Sequence, residues 1–438
     1  MEKIRKNTGG IDIGSQKIFV YTENGNEVKS FLTFTEDFEQ ARDYLIQQKT
    51  ESVAMEATGV YWYILYHILE EAGIDVWLVD GRETKQVPGR KTDVKDCQWI
   101  QQLHSHGLLN RCFVVEADIK DLRTYQRLRE DHIQSAAMHI NHMQKSLIGM
   151  NIRLDEALDQ VHGASGMAMI EAILKGERNK ENLLKLCHSS VIKNKKEEIL
   201  KALNGRYTHS GLFALKQAYD AYNFYQQQIS ECDKMLDMII KKMATKQTDD
   251  GDNEQKSHAP RKPIRHNKPE IDDLGKCLIK IFGGKDPTVL GGITDYTWMQ
   301  LLSETGTDLS RWETEKKYTS WLGLAPGQHS SGKMKRNKSK AGHPRAGQIY
   351  RKIAQSLITS KHIALGAFGR KLRARKGSAV AIKAVARKLA ELYWRIMVKG
   401  LDYVEKGIKK YEEQLLAQRH KSLARLAKEL NVEISYNV

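Results

Sequence analysis

Five short apolar runs crowd the first 80 residues, and their order constrains the fold more than any other feature of the chain. Residues 9–34 read as three short strands, IDIG, KIFVYT and EVKSFLTF. They are separated by Ser-Gln and by ENGN, the latter a turn signal suited to a hairpin. A polar helical stretch follows at about residues 36–48, and SVAMEA (52–57) reads as a buried strand. YWYILYHILEEAG (61–73) has helical periodicity and stops at Gly73. DVWLVD (75–80) is another apolar strand, and residues 93–107 read as a helix ending at Gly107. An antiparallel start followed by alternating helices and strands predicts a mixed α/β domain.

The middle of the chain changes period. In 133–150, Ile133, Ile140 and Leu147 repeat every seven residues, as do Ala136, Met143 and Met150. A second segment carries Leu215, Tyr222, Ile229 and Leu236 in one set and Ala218, Tyr225, Cys232 and Ile239 in the other. Such 3–4 spacing predicts helices that pair with each other or with another subunit. Residues 245–270 are polar, with proline and charge and no periodicity, and read as a linker or disordered insert. A second globular part begins near Ile271, and the last forty residues read as a charged helical tail. The expected division is 1–115, 116–244, 245–270, 271–400 and 401–438.

Charge then narrows the partners. With 70 Lys and Arg against 54 Asp and Glu, the net charge is +16, which favours polyanions. Residues 316–390 hold 19 Lys or Arg and no Asp or Glu, whereas an ordinary solvated face mixes signs. The five cysteines lie far apart with no C-x-x-C, which fits a reducing compartment and excludes a disulfide framework. No run approaches a membrane span, and the N-terminus has no apolar signal core. The expectation is a soluble cytoplasmic protein, nucleoid-associated in a bacterial setting, that faces nucleic acid and no membrane.

Two sets of residues can carry chemistry. Asp12 lies inside an apolar strand between Ile11 and Ile13, and Glu56 near the end of another. An unpaired carboxylate is costly in such places. Asp93 and Asp96, in KTDVKD, share one face at the start of a helix. In a ribonuclease H-like sheet, which this order of elements suits without being unique to it, these positions converge at one edge. Four carboxylates there would repel unless Mg²⁺ or Mn²⁺ neutralised them, and two such ions suit phosphodiester chemistry. Singly, Asp93 and Asp96 are better explained as acids complementing a helix dipole, whereas for the four acids together the metal reading leads.

The second set is WLGLAPGQHSSGKMKRNKSKAG (321–342), an apolar start leading into a Gly/Ser-rich basic loop. Serine there can be a nucleophile if its proton is removed and cations absorb developing charge. By spacing alone any one serine is better read as an ordinary turn serine in a phosphate-binding loop, and Ser330, Ser331 and Ser339 are equal contenders. Lys333, Lys335, Arg336, Lys338, Lys340 and Arg345 are candidate phosphate contacts. TVLGGITDYTWMQLLSETG (288–306) hints at a helix-hairpin-helix phosphate turn, with a structural hairpin as the default. GIDIGS alone also opens actin-like and sugar-kinase ATPases, but no second phosphate loop or adenosine motif follows.

Together GIDIGS, VAMEATGVYW, GRKTDVKD and WLGLAPGQHSSGK resemble the DEDD-type insertion-sequence transposases, family one-ten and its eleven-eleven subgroup. The resemblance covers nearly the whole chain. It implies a RuvC-like N-terminal domain, a long coiled-coil-like helical middle and a mostly helical, basic C-terminal transposase domain. It assigns the acid quartet to Asp12, Glu56, Asp93 and Asp96 and the nucleophile to Ser331. It further implies a structured non-coding guide RNA that pairs with DNA, and dimers or tetramers whose acids and serine meet across subunits. The chain departs from its relatives in the insert at 245–270 and in reading SSGKMKRNKSK, where a second glycine is common after S-G. The competing expectations are a RuvC-like metal-dependent nuclease or Holliday-junction resolvase using water, and a non-enzymatic packaging protein.

Overall fold

The structure, a computed structural model, describes residues 2–84, 93–246, 262–264, 266–326, 330–331, 334–335, 344–360 and 363–400 and, in the tail, 413, 416–417, 420–430 and 432. The chain divides into two compact units, Met1–Val114 and Val115–Val438.

In the first unit β1 (Thr8–Ile13), β2 (Lys17–Thr22) and β3 (Lys29–Leu32) run antiparallel in succession. After α1 (Thr35–Gln47), β4 (Ser52–Glu56) joins β1 in parallel. After α2 (Trp62–Glu71), β5 (Asp75–Val79) joins β4 in parallel, so the sheet order is β3-β2-β1-β4-β5. A short α3 (Gly81–Thr84) and then α4 (Asp93–Ser105) follow. Strand alternation sorts the side chains onto two faces. Ile11, Ile13, Val53, Met55, Val76 and Leu78 pack with Phe38, Leu45, Leu65 and Leu69 of α1 and α2. Ala54 and Val79 turn to the other face, where α4 covers them with Ile100 and Leu103. This is the ribonuclease H-like arrangement that the strand order predicts.

The second unit is largely helical. Its spine is α5 (Ala117–Gly149), which pairs with the later α10 (His209–Thr245). Lys242 and Lys246, at the end of α10, both reach Asp118 at the start of α5, so the two helices run antiparallel. The heptad residues Met143, Leu147, Met150, Leu215 and Ala218 lie in one core. Of the two pairings expected for these helices, the chain makes the internal one. Four helices between them, α6 (Leu154–Ala157), α7 (Ala164–Leu174), α8 (Lys180–Leu184) and α9 (Ser189–Ala202), add Leu154, Met169, Leu183 and Ile199 in turn to that core.

After the spine come α11 (Leu274–Ile281), a 3-10 turn at Pro287–Val289, α12 (Asp295–Thr305) and α13 (Glu315–Trp321). Then follow β6 (Ser330–Ser331), β7 (Met334–Lys335), α14 (Arg345–Thr359), α15 (Ala364–Lys376) and α16 (Ser378–Lys399). α12 starts where the sequence dictates. Thr294 Oγ1 accepts from the Thr297 amide at 3.2 Å and Thr297 Oγ1 from the Thr294 amide at 2.8 Å, a reciprocal cap worth about 1 kcal/mol. The two glycines before it face protein. A β-carbon on Gly292, whose φ is +82°, would fall 2.7 Å from Ile353 Cγ2. The turn thus packs internally, the structural default for this segment.

One buried ion pair ties the spine to the C-terminal helices. Arg129 of α5 binds Asp233 of α10 through Nε at 2.5 Å, and both side chains are almost wholly buried. Arg129 also donates to Tyr296 Oη of α12 at 2.8 Å and to the Asn267 carbonyl at 3.2 Å. Asp233 accepts from the Glu270 amide at 3.2 Å. Nearby, Arg127 grips Glu304 with two bonds of 2.8 and 2.7 Å. Of the expected linker 245–270, residues 247–261 and 265 lie outside the described residues. Lys262 is anchored, donating to the carbonyls of Thr288, Leu290 and Ile293.

Candidate active site

Asp12 and Glu56 come together through strand register. β1 and β4 run parallel with Gly10 level with Ala54 and Ile11 level with Met55. One step further along, Asp12 and Glu56 stand at the same ends of adjacent strands. Alternation puts both on the face that carries Gly10 and Ala54, the face covered by α4. Both are partly exposed.

α4 is brought down onto this edge by a missing side chain. A β-carbon on Gly10 would lie 2.2 Å from the Cys97 carbonyl oxygen and 2.4 Å from the Gln101 amide nitrogen. Only glycine lets the helix backbone rest there. Asp96 therefore sits one residue from the contact point, partly exposed. The buried Cys97 thiol registers the neighbourhood. Burial pushes it up to about 12, and the charges of Asp12 and Asp96 push the same way. Asp93 is the first residue of α4, and its side chain lies outside the described residues.

Glu56 is held by groups that the sequence did not single out. Thr84 Oγ1 donates to Glu56 Oε2 at 3.0 Å, and Trp99 Nε1 of α4 donates to the Thr84 carbonyl at 3.2 Å. A β-carbon on Gly81 would strike Glu56 Oε1 at 2.2 Å. The Asp-Gly pair after a strand is a turn signal, but its closeness to Glu56 emerges only from the fold. Among the described residues, no three His, Cys, Asp or Glu side chains form a cluster able to hold a metal ion. The donor chemistry nonetheless suits a hard divalent cation, since the acids gathered here offer only carboxylate oxygens.

The serine lies in the second unit. Ser330 pairs with Lys335 and Ser331 with Met334 in a two-stranded antiparallel ribbon. The side chains of Ser330, Ser331 and Lys335 lie outside the described residues, as do Lys333, Arg336, Lys338 and Lys340 altogether. Arg345 is described, exposed at the first position of α14. The helices on either side of the ribbon are locked to one another. A β-carbon on Gly347 of α14 would lie 2.1 Å from the Leu322 carbonyl at the end of α13. Tyr318 and Tyr350, both fully buried, share a 3.0 Å hydroxyl contact beneath that crossing.

No described helix is long and apolar enough to cross a membrane. No curated protein matches the chain. Two family comparisons do. Residues 9–152 match the transposase family of the DEDD, IS110 type, and residues 289–367 match the transposase IS116/IS110/IS902 family. The first match spans the sheet with its acids and the second spans the serine ribbon. The chain belongs to the IS110 family of DEDD transposases, enzymes that transfer DNA strands.

Proposed function

We propose that this transposase, of the eleven-eleven subgroup, cuts and rejoins DNA through a serine–DNA covalent intermediate. The observation that carries the reading is that Asp12 and Glu56 follow the last register pair of adjacent parallel strands on the α4 face, in a chain that also bears a serine ribbon inside its second family match. The Ser331 hydroxyl attacks the scissile phosphorus. A new P–O bond forms, the bond to the leaving deoxyribose oxygen breaks, and the serine proton is passed on while that oxygen gains one. A free DNA hydroxyl later attacks the phosphoserine and releases the enzyme, so the number of phosphodiester linkages is conserved. A free serine is a weak nucleophile at neutral pH and needs this activation.

Asp12, Glu56, Asp93 and Asp96 would hold Mg²⁺ or Mn²⁺, which when bound supplies charge for the phosphate oxygens. Lys333, Lys335, Arg336, Lys338, Lys340 and Arg345 contact phosphates around the serine. Asp12 and Ser331 belong to separate compact units, which supports a site completed across subunits in a dimer or tetramer. The net charge of +16 and the acid-free stretch 316–390 support binding of a structured guide RNA as well as DNA, with base pairing rather than side chains reading the target. The test uses two neighbours. Ser331→Ala abolishes strand transfer and Ser330→Ala retains it. The reverse outcome moves the nucleophile to Ser330, and activity in both variants favours a water-using nuclease.

A further inference from the structure

A cleft of about 240 Å³ opens between α5, α12 and α14, at the first turn of the helix that follows the serine ribbon. Glutamines and charged side chains share its lining, with Gln126 and Gln134 of α5 and Gln300 of α12 among the first and Glu130 of α5 and Glu304 of α12 among the second. Arg345 and Lys352 of α14 bring two positive charges, both from exposed side chains, and Lys352 Nζ lies 3.8 Å from Glu130 Oε1. Glu130 accepts from Gln300 Nε2 at 3.0 Å.

Gln126 sets the cleft apart. The residue is 2% exposed. Its Nε2 donates to Tyr296 Oη at 3.4 Å, while its Oε1 has no hydrogen-bond partner among the described residues. Buried amide oxygens are nearly always satisfied, so this one, enclosed within a residue of the cleft lining, is an acceptor that a donor entering the cleft would satisfy once the amide turns toward it.

The lining narrows what that donor belongs to. A bare phosphate would meet amide oxygens and the carboxylates of Glu130 and Glu304, which repel it. An apolar ligand would leave the amides unpaired. A nucleobase presents donors and acceptors along one planar edge, which glutamine matches in pairs. Its flanking phosphates would then fall to Arg345 and Lys352 at the mouth, and a guanidinium plane can also cover a base. Extruding a base costs least where the strand is already unpaired, as it is where strands are being exchanged.

We infer that this cleft holds one unstacked nucleobase of the DNA strand engaged at the serine ribbon, an assignment that rests on the strand-transfer reading above. The test measures binding of full-length protein to two single-stranded oligodeoxynucleotides of equal length and charge, one of mixed sequence and one wholly abasic. Wild type prefers the strand with bases. Gln126→Met reduces that preference by about fivefold or more, the lower end of what one recognised base contributes, and leaves the salt dependence of binding unchanged. Gln134→Ala, at an exposed side chain, gives the same direction of change and decides the matter if Gln126→Met fails to fold. An unchanged preference in a folded variant, or none in wild type, overturns the inference. Failure of the strand-transfer reading shows separately, as wild-type protein that forms no serine–DNA adduct.

Discussion

The carbonyl oxygen of Cys97 occupies space beside Gly10 that no other residue at that position would leave, 2.2 Å from where its β-carbon would stand. The contact sets the height of α4 above the sheet, and with it the reach from Asp96 to Asp12. Gly10→Ala meets backbone atoms, which cannot swing aside, and forced overpacking of this kind costs about 1–3 kcal/mol. The variant is expected to melt lower and to lose strand transfer. Gly9→Ala, whose new methyl meets only side-chain carbons at 3.0 Å or beyond, loses far less. Thermal melts with a recombination assay check both.

The Arg129–Asp233 pair makes a second expectation. Arg129→Met leaves Asp233 as a buried, uncompensated charge, at a cost of about 3–5 kcal/mol. Replacing both, as Arg129→Met with Asp233→Leu, recovers part of the loss. Recovery is incomplete because Tyr296 Oη loses the shorter of its two hydrogen bonds and the Glu270 amide loses its acceptor. Urea unfolding of the single and double variants measures the difference.

Much of the first unit is legible in the sequence, because a half-buried strand must alternate and an acid inside one is conspicuous. Asp12 is visible for that reason. The closeness of Asp12 and Glu56 depends on parallel register between segments more than forty residues apart, which periodicity does not encode. The heptads of α5 and α10 announce helices without naming the partner. Arg129, an ordinary arginine in a helix, becomes a tie only because Asp233 and Tyr296 arrive from 104 and 167 residues away. Thr84 and Gly81 are equally silent until α3 folds against Glu56.

Acidification bears on the first unit through His104. The ring is fully buried, 2.6 Å from Ser52 Oγ, and burial, with Arg5 adding to it, drives its pKa from 6.5 down to about 4. The unfolded chain then takes up a proton that the folded chain refuses. Stability from the neutral ring is fully present above pH 6.5 and is lost as pH falls toward 4, by up to about 3 kcal/mol. His104→Gln is expected to flatten this part of the stability–pH curve, measured by urea unfolding at successive pH values.

Nucleic-acid affinity is expected to fall steeply as salt rises, because each phosphate contact releases counterions. Arg345→Gln should weaken binding similarly across sequences and lower the slope of log affinity against log salt by about one. Titrations of DNA into protein at several salt concentrations measure it, and an affinity nearly independent of salt contradicts the assignment of the 316–390 stretch to phosphates.

The central claim is that a serine of the second unit attacks DNA with the help of acids on the first unit's sheet. Its most direct measurement is the covalent protein–DNA adduct recovered after denaturation from reactions with divalent metal and labelled substrate DNA. Wild type is predicted to yield an adduct whose labelled peptide contains Ser331. Ser331→Ala is predicted to yield none while still binding DNA, and Asp12→Asn to yield little while remaining folded. Normal recombination by Ser331→Ala, or an adduct mapped to another residue, would contradict the account.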